Sequence, residues 1–198
     1  MTSTICSLTD VLIAGGNPCI FLHEEGNGIL VALSYWDAQY SPAGAGKCLF
    51  LRSSHPKYAC NLACSDNEPL LELVHANFNK HFAGFKEIDE RLMRRERATF
   101  SVKDLPEKNR LQLEVHTSTA SIVASWDEFG VAEQVIDDLE GFGSQAGERF
   151  RVASVIVPAA RATIAINGQD LPGRVSASYG KLKSSAFLAW AESWSRLP

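Results

Sequence analysis

No stretch of this sequence approaches the roughly 18 consecutive apolar residues of a membrane-spanning helix. Its first segment, MTSTICSLTDVLIAGG, has neither a basic leader nor an apolar run long enough for a secretory signal. A surplus of positive charge is also missing. Against 23 Asp and Glu there are 19 Lys and Arg, a formal charge of −4, so the basic footprint of a nucleic-acid-binding protein is absent. The five cysteines are an odd number without the spacing of a disulfide framework, which points to reduced thiols. These absences predict a soluble, cytoplasmic protein with neither a membrane nor a nucleic-acid partner. With 198 residues, 45% of them hydrophobic, the chain is read as a single globular domain over residues 1–198. A domain of this size buries roughly 70% of its unfolded surface and needs no metal or disulfide staple.

Motifs that would declare a chemistry are scarce too. GAGKC, Gly44 to Cys48, suggests a phosphate-binding loop, but Ser41 stands where the leading glycine belongs and Cys48 where Ser or Thr is required. AGGN and GFGSQAG lack the spacing of a dinucleotide site, and no zinc-protease helix, paired Cys-x-x-Cys or nucleophile elbow occurs. Cys60 and Cys64 lie in alternating sequence, where four strand residues span roughly 13 Å. That is too far for a disulfide or for ligation of one ion. No metal and no cofactor are expected.

What is present is strand periodicity. CIFLHEEGNGILVALSYW reads as two strands around Gly26, Asn27 and Gly28, followed by KCLFLRS and by Tyr58–Cys64 with its two-residue alternation. ATFSVKD, RLQLEVHT, ASIVASW and RFRVASVIV continue the series, and Asn167-Gly168 is the strongest hairpin signal. One strong helix is predicted at about 67–84, capped by Asp66 or Asn67, with Pro69 in its first turn and Gly84 at its end. GVAEQVIDDLE reads as weakly helical. Phe187, Trp190, Ala191, Trp194 and Leu197 share one helical face, which favours a short C-terminal helix. The fold class expected is α+β: a large, curved, mainly antiparallel sheet, able to close partly into a barrel, with these two helices packed on it. A lipocalin-like all-β barrel is the alternative.

Few residues stand out as chemical candidates. His81 falls inside the apolar stripe formed by Leu70, Val74, Phe78 and Phe85; it is structural if it meets a backbone carbonyl and chemical only if it faces a carboxylate across a cavity. Glu114 and His116 share one face of their strand, roughly 7 Å apart, and a carboxylate beside an imidazole can orient it as a general base. Asp127 offers a second carboxylate, and Trp126 a cavity wall. Catalytic candidates are therefore His81, Glu114, His116 and Asp127; ligand-binding candidates are Trp126, Glu114 and His116. The arginines at 91, 94, 95 and 97 alternate with Glu87, Asp89, Glu90 and Glu96. They read as a self-neutralising helical face, with a phosphate or acidic partner as the alternative. Between Arg110 and Arg149 there is no Lys or Arg, which suggests a solvated acidic loop, with self-association or a basic partner as the alternative.

The function expected first is non-catalytic binding of an apolar or aromatic small molecule in a cavity of the curved sheet. The alternatives are a cofactor-independent lyase, isomerase or hydrolase using a His/carboxylate pair, and an assembly module forming a homodimer through the C-terminal aromatic face.

Overall fold

Residues that alternate in character form strands along almost the whole chain. The structure, a computed structural model, describes residues 10–24, 28–86 and 90–198. The early strands are β1 (Val11–Gly16), β2 (Cys19–His23), β3 (Ile29–Tyr40), β4 (Gly46–Ser53) and β5 (Cys60–Ser65). After helix α1 (Glu68–Asn77) come β6 (Arg94–Leu105), β7 (Arg110–Thr117), β8 (Ser121–Phe129) and β9 (Glu133–Glu140). The chain finishes with β10 (Arg149–Ile166), β11 (Gln169–Asp170), β12 (Arg174–Val175) and β13 (Ala186–Arg196). No helix among the described residues is long and apolar enough to cross a membrane.

Nine strands close into a barrel, in the order β10, β8, β7, β6, β5, β4, β3, β1, β13 and back to β10. The last strand closes the ring. Ser193 lies opposite Ala14 on one side and Ala153 on the other. Neighbours run antiparallel except β5 and β6, and the crossover between that parallel pair contains α1, as parallel pairing requires. β1 and β2 behave as one strand broken at Asn17–Pro18: pairing with β3 stops at Gly16 and resumes at Cys19. Pro18 has no N–H to give the ladder. The break is held by the Asn17 amide donating to the Ala189 carbonyl at 2.8 Å, and by Tyr35 N–H donating to the Pro18 carbonyl at 3.0 Å.

Two cores share this sheet. One cluster draws Leu33 and Tyr35 from β3, Leu49 from β4, Leu113 from β7, Ile122 and Trp126 from β8, and Leu188 from β13. A cluster fed from all around the ring lies inside it, so the barrel is filled by side chains. The second lies outside, where α1 and the segment after it cover Trp36, Phe50, Phe150 and Trp194 with Val74, Phe78 and Phe85. β4 therefore buries Cys48, Leu49, Phe50 and Leu51 in succession, whereas β7 buries only alternate residues.

The sheet closes further, and with less helix, than the expected α+β arrangement; the chain is mostly β, as in the barrel alternative. The helix predicted at about 67–84 ends at Asn77, and a single 3₁₀ turn follows at Asn79–His81. Its expected cap is Asn67, whose side-chain oxygen accepts from Leu70 N–H at 3.2 Å. The predicted C-terminal helix is β13 instead. There Phe187 and Trp194 are buried in the chain's own core rather than displayed on a helical face. The segment read as weakly helical is β9, paired residue for residue with the first half of β10. The arginine-rich segment enters a strand at Arg94. Gly26, Asn27, Glu87 and Asp89 lie outside the described residues, and so does the side chain of Glu90. Asn167 and Gly168, both at positive φ, form the expected turn between β10 and β11.

Trp126 is the largest fully buried side chain, and its indole N–H donates to the Cys19 carbonyl at 2.9 Å. Trp126→Ala should cost about 3–5 kcal/mol, as large-to-small changes in packed cores do. Urea denaturation measures this, and a loss below about 1 kcal/mol would contradict a side-chain-filled barrel.

Candidate functional site

The predicted chemical residues do not converge. His81, in the 3₁₀ turn after α1, makes a 3.0 Å hydrogen bond from Nε2 to the Gly143 carbonyl, and its ring lies 5.4 Å from that of Phe142. Gly143 N–H in turn donates to the Asn77 carbonyl at 2.8 Å. Desolvation holds the His81 pKa below the usual imidazole value. It meets a backbone carbonyl, and so clasps the 141–147 loop onto the outer core.

Glu114 and His116 are neighbours on the outer face of β7, since Leu111, Leu113 and Val115 on the same strand point inward. His116 is exposed. Glu114 accepts from Lys103 Nζ on β6 and from Gln112 Nε2 at 2.8 Å. The Lys103 hydrogen bond is the main reason its carboxyl titrates below the ordinary range. Asp127 pairs across the sheet with Arg110, its register partner. Trp126 belongs to the opposite, inner face. The structure thus brings Glu114 and His116 together and leaves Trp126, Asp127 and His81 apart from them.

The arginines separate by strand alternation. Arg94 and Glu96 stand beside Leu62 and Cys64 on β5, whose side chains enter the barrel. Glu96 has only 7% of its side chain exposed and accepts from Arg94 Nε at 2.7 Å. Thr119 Oγ1 at 2.6 Å and Ser118 Oγ at 3.0 Å also donate to it. These bonds, Thr119's above all, draw its pKa down to about 2.

Arg95 and Arg97 point the other way, toward α1. Arg95 pairs with Glu72 on the helix, while Arg97 has no ion-pair partner among the described residues. Both line a groove of about 800 Å³ that also receives Asp66, Glu68, Pro69 and Leu71. Its wall is rigidly tied. Asn67 Nδ2 donates to the Ala43 and Ala45 carbonyls, each at 3.0 Å, and Lys47 N–H donates to Asp66 Oδ1 at 2.6 Å. A Cβ on Gly46 would come within 2.7 Å of the Asn67 Cβ, so this close approach requires glycine. The arginine run hinted at the groove, but only the parallel β5–β6 pairing reveals that Arg95 and Arg97 face the helix.

A second polar group was invisible in the sequence. Glu192 is buried on β13. Its Oε1 accepts from Trp194 Nε1 at 2.8 Å and from Asn17 Nδ2 at 3.2 Å. Set against known proteins, the chain matches no family model, no curated protein and no solved structure.

The Glu96 pKa predicts an acid effect. Because the folded value lies below the ordinary 4.5, its stabilisation is complete above about 4.5 and is lost as pH falls toward 2. Glu96→Gln should therefore lower the urea midpoint at pH 7, and the gap from wild type should shrink below pH 4. A gap independent of pH would contradict this role.

Proposed function

We propose that the protein is a non-catalytic domain that binds a small zwitterionic molecule in the groove between α1 and β6. Arg97 is the observation that carries this reading: a guanidinium without a carboxylate partner among the described residues, in a concave site of ligand size. An anionic group on the ligand would take Arg97 by paired hydrogen bonds. A cationic group would meet the carboxylates of Asp66 and Glu68, and a short apolar portion would rest on Pro69 and Leu71. No histidine or cysteine lines the groove, and Ser65 Oγ is already engaged with the Lys47 and Asn67 carbonyls at 2.6 and 2.7 Å. Binding is therefore favoured over catalysis. The ligand differs from the apolar guest expected from composition, because the aliphatic and aromatic side chains are consumed by the two cores.

Calorimetric titration with amino-acid zwitterions, using inorganic phosphate and tetramethylammonium as single-charge controls, tests the reading. Zwitterions should bind best, and Arg97→Ala should weaken them at least tenfold, about 1.4 kcal/mol. Equal binding by the variant, or binding of phosphate alone, would overturn it.

A further inference from the structure

We propose that Glu192 is a proton-operated latch on the seam that closes the barrel: neutral, it holds β13 against β1 and β10; ionised, it loosens that seam. The geometry singles it out. Pairing between β13 and β10 slips between Ala153 and Val155, and the extra residue on β13 forms a bulge at Ala191 and Glu192. Ala191 occupies the left-handed region at φ 52, a conformation that costs a non-glycine residue free energy and persists only where surroundings enforce it. The bulge turns Glu192 onto the outer-core face, at a place where three parts of the seam meet.

Each packed element supplies a polar group there, and no cation among the described residues acts on the carboxyl. From the β1–β2 break, Asn17 donates to the carboxyl while its own Oδ1 accepts from Ser34 Oγ of β3 at 3.0 Å and from Cys19 Sγ of β2 at 3.4 Å. Trp194 on β13 donates its indole N–H, and Ser154 faces the carboxyl from β10. The Ser154 hydroxyl is buried without a hydrogen bond of its own; a neutral Glu192 has an O–H to give it. Cys19 is the titratable side chain in this set, and burial pushes its thiol far up, so it stays neutral. The Glu192 carboxyl thus ties β13 to the β1–β2 break and, through Asn17, to Ser34 of β3 and Cys19 of β2.

Burial raises the Glu192 pKa from 4.5 to about 7, against the opposing hydrogen bonds of Trp194 and Asn17. The folded state therefore holds this proton more tightly than the unfolded chain. Its stabilisation is full below about 4.5 and is lost as pH rises through about 7. A charged carboxylate with no cation beside it is costly in a buried site, and turning the bulge outward relieves that cost without unfolding the whole barrel.

Amide hydrogen exchange of the full chain at pH 5.5 and 8.5, corrected for intrinsic rates, tests the latch. In the wild type, protection over 189–196 and 11–16 should fall about tenfold or more relative to β7 and β8. In Glu192→Gln, which keeps the acceptor oxygen and cannot ionise, protection should stay at the low-pH level. Equal losses in both proteins would overturn the proposal. Should the variant not fold, the wild-type Trp194 indole N–H resonance decides alone. A shift titrating near neutrality supports the latch, and a resonance unmoved between pH 5 and 9 refutes it.

Discussion

The structure depends on β13 finding partners on both of its edges. Without it, β10 and β1 are the two ends of an open sheet, and the inner cluster of Leu, Ile and Trp side chains is exposed at the gap. With it, every edge in the ring is paired, which also removes the unpaired backbone that sheet edges present to other chains. β13, which follows every other strand of the ring in the sequence, must therefore dock before the barrel can close. Contacts between β1 and β13 span most of the sequence, so loop-closure entropy opposes this step until the final strand docks.

Closure dictates where polar chemistry can sit. The barrel interior is occupied by packed side chains and the covered outer face is a second core, so polar groups are left to uncovered strand faces such as that of β7 and to ends, seams and the margin of the helix. Glu96 and Arg94 are anchored together with the turn carrying Ser118 and Thr119. Glu192 lies at the β13 seam. At the α1 groove β5 and β6 run parallel: the crossover between them carries the helix, and Arg95 and Arg97 of β6 line the groove beside its first turn. One topological irregularity thus accompanies the concavity, and one bulge the buried acid.

Much of the strand pattern was legible because period-two alternation depends only on local sequence. Tyr58, Cys60, Leu62 and Cys64 do share a face toward the inner cluster, and Asn167-Gly168 does turn the chain. The C-terminal segment was misread for a specific reason. Phe187 and Ala189 bury on the outer-core face; the bulge then inserts one residue, and burial resumes on that face at Glu192 and Trp194. A seven-residue interval between Phe187 and Trp194 imitates two helical turns. β9 was missed because its acidic residues weaken the alternation, and only β10, with which it pairs along its length, makes it a strand. Helical periodicity puts His81 inside the apolar stripe, yet the loop carbonyl of Gly143 that engages it is 62 residues away in sequence. Such partners are supplied by tertiary structure and carry no local signal.

Ser193 offers the most direct test of barrel closure, because it has a strand partner on each side. Nuclear Overhauser contacts should connect Ser193 both to Ala14 and to Ala153, with the flanking residue Trp194 connected both to Ile13 and to Val152. Observing both sets establishes the closed ring. Contacts to β10 with none to β1 would show an open sheet, and the account of the filled barrel and its seam would fail.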